Sequence, residues 1–195
     1  MSNSDAAVNF YLDAYGYVSD HGFFREIEWA EHLPLLEQQD AETFFEEYVW
    51  CVLNAGMKEQ IARKIYERFA VARDPLTIGH LGKRAAVQQA LMEYPTWFKG
   101  LLAAEDRLAY LESLPWIGPI TKYHLARNIG IDCVKPDRHL VRLAARFSYP
   151  SPDAMCRAIQ AEVGGRLGAI DVVLWRYCNL TGEYEGQSKL VVEEE

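Results

Sequence analysis

Asp137 stands directly after Pro136 and ahead of an amphipathic run, Arg138 to Phe147. A carboxylate in that place caps a helix: it accepts the first-turn amides, and those donors together with the helix dipole keep it ionised at neutral pH. A fixed anion of this kind can stabilise an oxocarbenium-like sugar cation while orienting or deprotonating water, which is the chemistry of glycosidic bond cleavage. Nineteen residues before it lies Gly118, within Leu114-Pro115-Trp116-Ile117-Gly118-Pro119-Ile120-Thr121-Lys122. Gly118 is conformationally permissive, and Pro119 occupies a first helical position where its missing N–H costs nothing. The free amides of the next turn then favour an anion, and one phosphate group fits such a site. Taken alone, the two features read equally as a plain N-cap and a tight connection between core helices.

The elements around them read as helices. Apolar residues recur at three and four, with no sustained alternation of β-branched residues, so the expected fold is all-α. Asp40 is an N-cap candidate for a helix whose Phe44, Tyr48, Cys51 and Val52 share a face. A second helix aligns Ile61, Ile65 and Phe69 and stops at Asp74-Pro75. Lys83 to Tyr94 and Phe98 to Ala104 read as two shorter helices separated by Pro95. Asp106 to Leu114 and Thr121 to Ile129 flank the hairpin, the second closed by Gly130 in a left-handed cap. Arg138 to Phe147 turns Leu140, Val141, Ala144 and Phe147 inward. Ser151-Pro152 opens a helix with Met155, Ile159 and Val163 in register, and Leu167 to Cys178 presents Ile170, Val173, Leu174 and Tyr177. Glu193 to Glu195 reads as a frayed acidic tail.

Composition narrows the class. The chain of 195 residues is half apolar and a quarter charged, which places it among ordinary globular proteins with one core or two small lobes. There is no apolar run of about 20 residues and no secretory start, so a cytoplasmic protein without a membrane partner is expected. Cys51, Cys133, Cys156 and Cys178 form no CxxC pair, which argues against zinc and against an iron–sulfur cluster and favours buried free thiols. The net charge of −8 is unfavourable for a nucleic-acid partner, but it is polarised. Residues 1–50 carry eleven carboxylates against Arg25, whereas 121–147 carry six basic residues against Asp132 and Asp137.

Together, L-P-W-I-G-P-I-T-K and V-K-P-D-R-H-L at this separation resemble the helix-hairpin-helix/Gly-Pro-Asp superfamily of base-excision DNA glycosylases. The match covers about Tyr110 to Phe147 and extends weakly upstream through Tyr48 to Ala55. What the resemblance implies is a two-lobed helical fold. One lobe spans 35–132 and contains the hairpin at about 106–129; 1–34 and 133–195 form the other, with Asp137 at the interface where a flipped nucleotide lodges. The implied partner is double-stranded DNA carrying a modified or damaged base, met by a monomer that is associated with the nucleoid in a bacterium. Trp116, Gly118, Ile120, Thr121 and Lys122, with Lys135 and Arg138, would meet the DNA. Tyr48, Trp50 and Tyr123 are candidates for stacking on the extruded base. Met57 and Lys58 are the nearest candidates for the wedge that fills the vacated stack, since the position used by some relatives falls on Gly56.

Two departures qualify the resemblance. Bifunctional members carry a lysine nucleophile two residues after the second hairpin glycine, and here that residue is Ile120. Lys122 is rotated from it by about 200° around a helix of ~3.6 residues per turn, so a monofunctional hydrolase without strand cleavage is implied. Trp116 replaces the first hairpin glycine, where it could narrow the approach to phosphate or stack on a sugar or base. No cofactor is required by this scheme beyond room for a monovalent cation at the hairpin. His124 and His139 read as structural. Two other accounts compete: a hairpin protein that binds DNA without catalysis, and an acidic helical interaction domain.

Overall fold

A computed structural model describes residues 3–182, and they are all-helical, without strands among the described residues. The acidic segment Glu193 to Glu195 lies outside them. Ten α-helices follow in order: α1 (Asn3–Val18), α2 (Phe24–His32), α3 (Ala41–Asn54), α4 (Glu59–Ala72), α5 (Leu81–Ala103), α6 (Arg107–Glu112), α7 (Thr121–Asn128), α8 (Arg138–Arg146), α9 (Pro152–Val163) and α10 (Leu167–Thr181). No helix among these residues is long and apolar enough to cross a membrane. The chain forms two compact units, Pro34–Ile131 and Met1–Leu33 with Asp132–Glu195.

In the Pro34–Ile131 unit, α3 is the central helix, packed against α4, α5 and α7. Asp40 caps it by accepting from the Thr43 amide at 2.7 Å, and Phe44, Tyr48, Cys51 and Val52 are all buried on its inner side. The expectation of two helices around Pro95 is corrected, because α5 runs unbroken through it. Proline removes one helical donor. Burial of Trp97, Phe98 and Leu101 just beyond it outweighs that loss, and the Trp97 indole donates back to Glu93 at 3.0 Å across the proline. On α4 the inner face is Ala62 and Phe69, whereas Ile61 is half exposed, contrary to its expected alignment.

Gly130 closes α7 with φ +89, the Ile131 amide donating to Ala126 and the Gly130 amide to Arg127, the two bonds of a Schellman cap. A side chain there would also meet the Pro34 carbonyl at 2.1 Å.

The other unit is built on α10, which packs against α1, α2, α8 and α9. Its core joins Ala7, Tyr11, Ala14 and Val18 of α1 to Leu140, Leu143 and Ala144 of α8, Met155, Cys156 and Ile159 of α9, and Ile170, Val173 and Leu174 of α10. Val141 points outward at 47 % exposure and Leu143 takes the inner position, which corrects the expected inner face of α8. Ser151 caps α9 through the Ala154 amide at 3.1 Å, and all four cysteines are buried thiols outside any disulfide among the described residues. Between α1 and α2 the chain bends at Gly22, whose φ of +88 is open to glycine without strain.

Gly130→Ala is expected to destabilise the protein by at least about 1 kcal/mol, since alanine resists positive φ and its methyl would strike a carbonyl. Urea denaturation would measure this, and an unchanged midpoint would refute the double role of this glycine.

Candidate functional site

The hairpin residues belong to the Pro34–Ile131 unit. Asp106 caps α6 through the Ala109 amide at 2.9 Å, and after α6 the chain turns through Leu114 to Ile117, with the Ile117 amide donating to Leu114 at 3.1 Å. Leu114 and Ile117 are buried and anchor the turn from below. Tyr48, a sequence candidate for a base-stacking residue, has another role: it is fully buried, and its hydroxyl donates to the Pro115 carbonyl at 2.7 Å. Its ring lies edge-on to Trp97 at 5.4 Å. Tyr48 is therefore a strut under the hairpin and offers no face to a base. Burial pushes its phenol pKa well above the ordinary value, so at neutral pH it remains a donor.

Trp116 has φ +63, the left-handed conformation that favours the glycine it replaces. A non-glycine residue held there stores about 1–2 kcal/mol of strain. Packing offsets it. The indole lies against α5, where a Cβ on Gly82 would stand 2.3 Å from its ring, and it meets the His80 ring edge-on at 5.0 Å. Trp116 nevertheless keeps 43 % of its surface exposed, as does Ile120. Gly118 is different: its φ is not in the left-handed range, and a Cβ on it would meet open space.

Gly118 also begins α7, its carbonyl accepting from the Lys122 amide at 3.0 Å. The amides of Gly118, Ile120 and Thr121 donate to no acceptor among the described residues. They form the donor edge expected of a helix N-terminus. Lys122 is ion-paired to Glu112 of α6 at 2.5 Å, which ties its charge to the preceding helix. Tyr123 is half-buried with the Lys122 ammonium 5.4 Å from its ring centre.

Lys135, Asp137 and Arg138 belong to the other unit. Residues 132–137 form a non-helical segment tied to α10 by hydrogen bonds in both directions. The Lys135 amide donates to Asp171 at 2.5 Å, and the Asp132 carboxylate accepts from the Gly168 amide at 3.0 Å. Asp137 caps α8: its Oδ1 accepts from the His139 amide at 2.9 Å and the Leu140 amide at 3.1 Å. Both bonds use one oxygen, and the residue is half-buried, so the second oxygen is not engaged by the cap. His139 is buried at 6 % exposure, and burial holds its imidazole pKa below the ordinary 6.5, with the Asp137 charge opposing that shift. It borders the acid as a neutral ring. Arg138 is exposed, and its Nε donates to His139 Nε2 at 3.4 Å.

The remaining sequence candidates lie on the α3–α4 pair. Trp50 is half-buried, edge-on to Tyr66 at 5.8 Å and under the Arg63 guanidinium at 5.2 Å. Met57 and Lys58 sit in the tight turn after α3, where Gly56 has φ +67; Met57 is half-buried and Lys58 is exposed.

Three residues escaped sequence reasoning. Asp171 is 1 % exposed within the apolar run Ala169-Ile170-Asp171-Val172-Val173-Leu174, and a lone acid in such a run was the available signal. Lys83 is 4 % exposed and donates to the Leu53 and Ala55 carbonyls, each at 2.7 Å, bracing the end of α3 just before the Gly56 turn. Burial lowers its ammonium pKa. Glu47 accepts from the Asn128 amide group at 2.8 Å, and burial raises its carboxyl pKa. Nothing in local sequence marks Lys83 or Glu47, because their partners are 28 to 81 residues away.

Among the described residues no group of three His, Cys, Asp or Glu side chains is placed to hold a metal ion. The chain matches no protein-family model, no curated protein and no solved structure.

Two outcomes follow from these partners. Asp171→Ala leaves the part-buried Lys135 amide without its acceptor and is expected to cost about 1–3 kcal/mol in urea denaturation; an unchanged stability would show the bond to be dispensable. His139 titrates below 6.5 when folded and near 6.5 when unfolded, so the unfolded chain binds the extra proton first and stability falls as pH drops below 6.5. His139→Phe should flatten that limb of the stability curve, and an identical slope in both proteins would count against the assignment.

Proposed function

We propose that this protein is a monofunctional DNA glycosylase that releases a damaged or modified base from a nucleotide flipped out of duplex DNA. The observation that carries the reading is Asp137, a partly exposed carboxylate with one oxygen pinned by two amides at the head of α8 and the other outside the cap. In the reaction the C1′–N bond breaks and its electron pair departs with the base. The carboxylate stabilises the sugar cation, water adds to C1′, and the proton it loses passes to Asp137. The unbonded amides of Gly118, Ile120 and Thr121 supply donors for a backbone phosphate, and the open space beside Gly118 lets a strand approach closely. Ile120 cannot act as an amine nucleophile, and Lys122 is paired with Glu112, which supports hydrolysis without strand cleavage.

A second reading, duplex binding without catalysis, is favoured by one observation: Trp116 brings a large exposed ring to the hairpin turn.

Asp137→Asn decides between them. Against a pooled set of duplexes carrying different modified bases, the wild type should yield alkali-labile abasic sites. The variant should keep its DNA affinity while base release falls on the order of 10² to 10⁴-fold. Equal release by both proteins would eliminate the catalytic role, and binding without release from any duplex by the wild type would select the second reading.

A further inference from the structure

The α8 helix carries Arg138, Arg142 and Arg146 at intervals of four, and all three are exposed, while His139, Leu140, Leu143 and Ala144 between them are buried. Residues four apart lie on one face, about 6 Å along the axis, so the three guanidinium groups form a stripe about 12 Å long. Val141 and Ala145, also exposed, lie between them, so α8 itself contributes no acid to this face. Arg146 is steadied by aromatic neighbours, its guanidinium lying 5.1 Å from the Phe10 ring centre and 5.4 Å from that of Phe147. Lys135 lies just upstream in the non-helical segment that leads into the helix.

We infer that this arginine stripe is a binding surface for the sugar–phosphate backbone of one DNA strand. The inference rests on the reading above and extends it, since the hairpin amides and the Asp137 cap do not involve the stripe. One strand presents a phosphate about every 3.4 Å of duplex axis, so 12 Å of helix is matched to about three or four phosphates. Arginine suits the task better than lysine, because its planar fork donates two parallel hydrogen bonds to phosphate oxygens and sheds water more readily. Such a surface gives affinity without sequence preference, as an enzyme that must search for a rare base requires. It also reconciles a chain of net charge −8 with a polyanionic partner: the basic charge is concentrated on one helix face while the acidic charge is concentrated in residues 1–50.

The test measures affinity for a fluorescein-labelled duplex containing a tetrahydrofuran abasic-site analogue by anisotropy, between about 50 and 200 mM salt. Each phosphate contact contributes about 0.9 to the slope of log K against log salt, so Arg142→Gln should lower the slope by about 0.9 and weaken binding about fivefold. Arg142→Gln/Arg146→Gln should lower it by about 1.8. The single variant guards against loss of folding, since it leaves in place Arg146, whose guanidinium packs on two rings. Arg157→Gln removes an exposed charge on α9 that is already paired with Asp153 at 2.7 Å, and it should leave the slope unchanged. A wild type that binds with salt sensitivity while the α8 variants keep its slope overturns the stripe and spares the glycosylase reading. The stripe also fails if Arg157→Gln lowers the slope as much as Arg142→Gln does. A wild type that does not bind this duplex even at low salt overturns both.

Discussion

A backbone amide with no helix around it must find an acceptor, and in this protein the amide that matters is that of Lys135. It lies in the non-helical stretch 132–137, and the buried carboxylate of Asp171 takes it at 2.5 Å. A charge sealed in an apolar core is costly unless it is hydrogen-bonded, so the pairing answers two needs at once: the carboxylate loses water but gains a donor, and the segment is fixed to α10. The consequences run along the chain. Fixing Lys135 fixes Pro136 and Asp137, Asp137 starts α8, and α8 in turn carries both the buried His139 and the exposed arginines. Asp132 ties the start of the segment in the opposite sense, its carboxylate accepting from the Gly168 amide of α10.

The Pro34–Ile131 unit solves a different problem, the support of a turn whose own backbone is strained. Two glycines of α5 make room for rings from the hairpin region. Gly82 lies under Trp116, and Gly100 lies under Tyr110, whose hydroxyl reaches the Trp97 carbonyl at 3.0 Å. Eighteen residues separate these glycines, or about 27 Å of helix, so α5 grips the α6 end and the turn end independently. Tyr48 adds a third hold from α3. This explains how Trp116 tolerates positive φ: the surroundings over-determine its position, as strained functional backbone generally requires. Gly118, by contrast, meets no internal demand for a glycine, and the free space beside it is available to a ligand.

Charge is also managed locally. Several acids of the N-terminal region are matched within their own unit, Glu26 with Arg176 at 2.8 Å and Glu37 with Arg107 at 2.6 Å. The net charge of the chain is therefore a poor guide to the potential at any one face. What counts is which charges are paired and which project.

How far the sequence could be read depended on the range of the forces involved. The helical class, the caps at Asp40, Asp137 and Ser151, and the left-handed Gly130 were all legible, because capping and backbone conformation depend on residues within a few positions of one another. The continuity of α5 through Pro95 was not, since a local penalty was outweighed by burial against elements far along the chain. The bounds and inner face of α1 were not legible either, because its inner residues are Ala7, Tyr11, Ala14 and Val18, too small or too polar to stand out as an apolar stripe. Val141 and Leu143 show the limit of periodicity, which finds that a helix has an inner face but not which edge of it is covered. At the candidate site the sequence alone picked out Asp137 and the hairpin. Only tertiary structure made Tyr48 a strut and joined Asp171 to Lys135, because burial and long-range hydrogen bonds are set by which distant segments pack together.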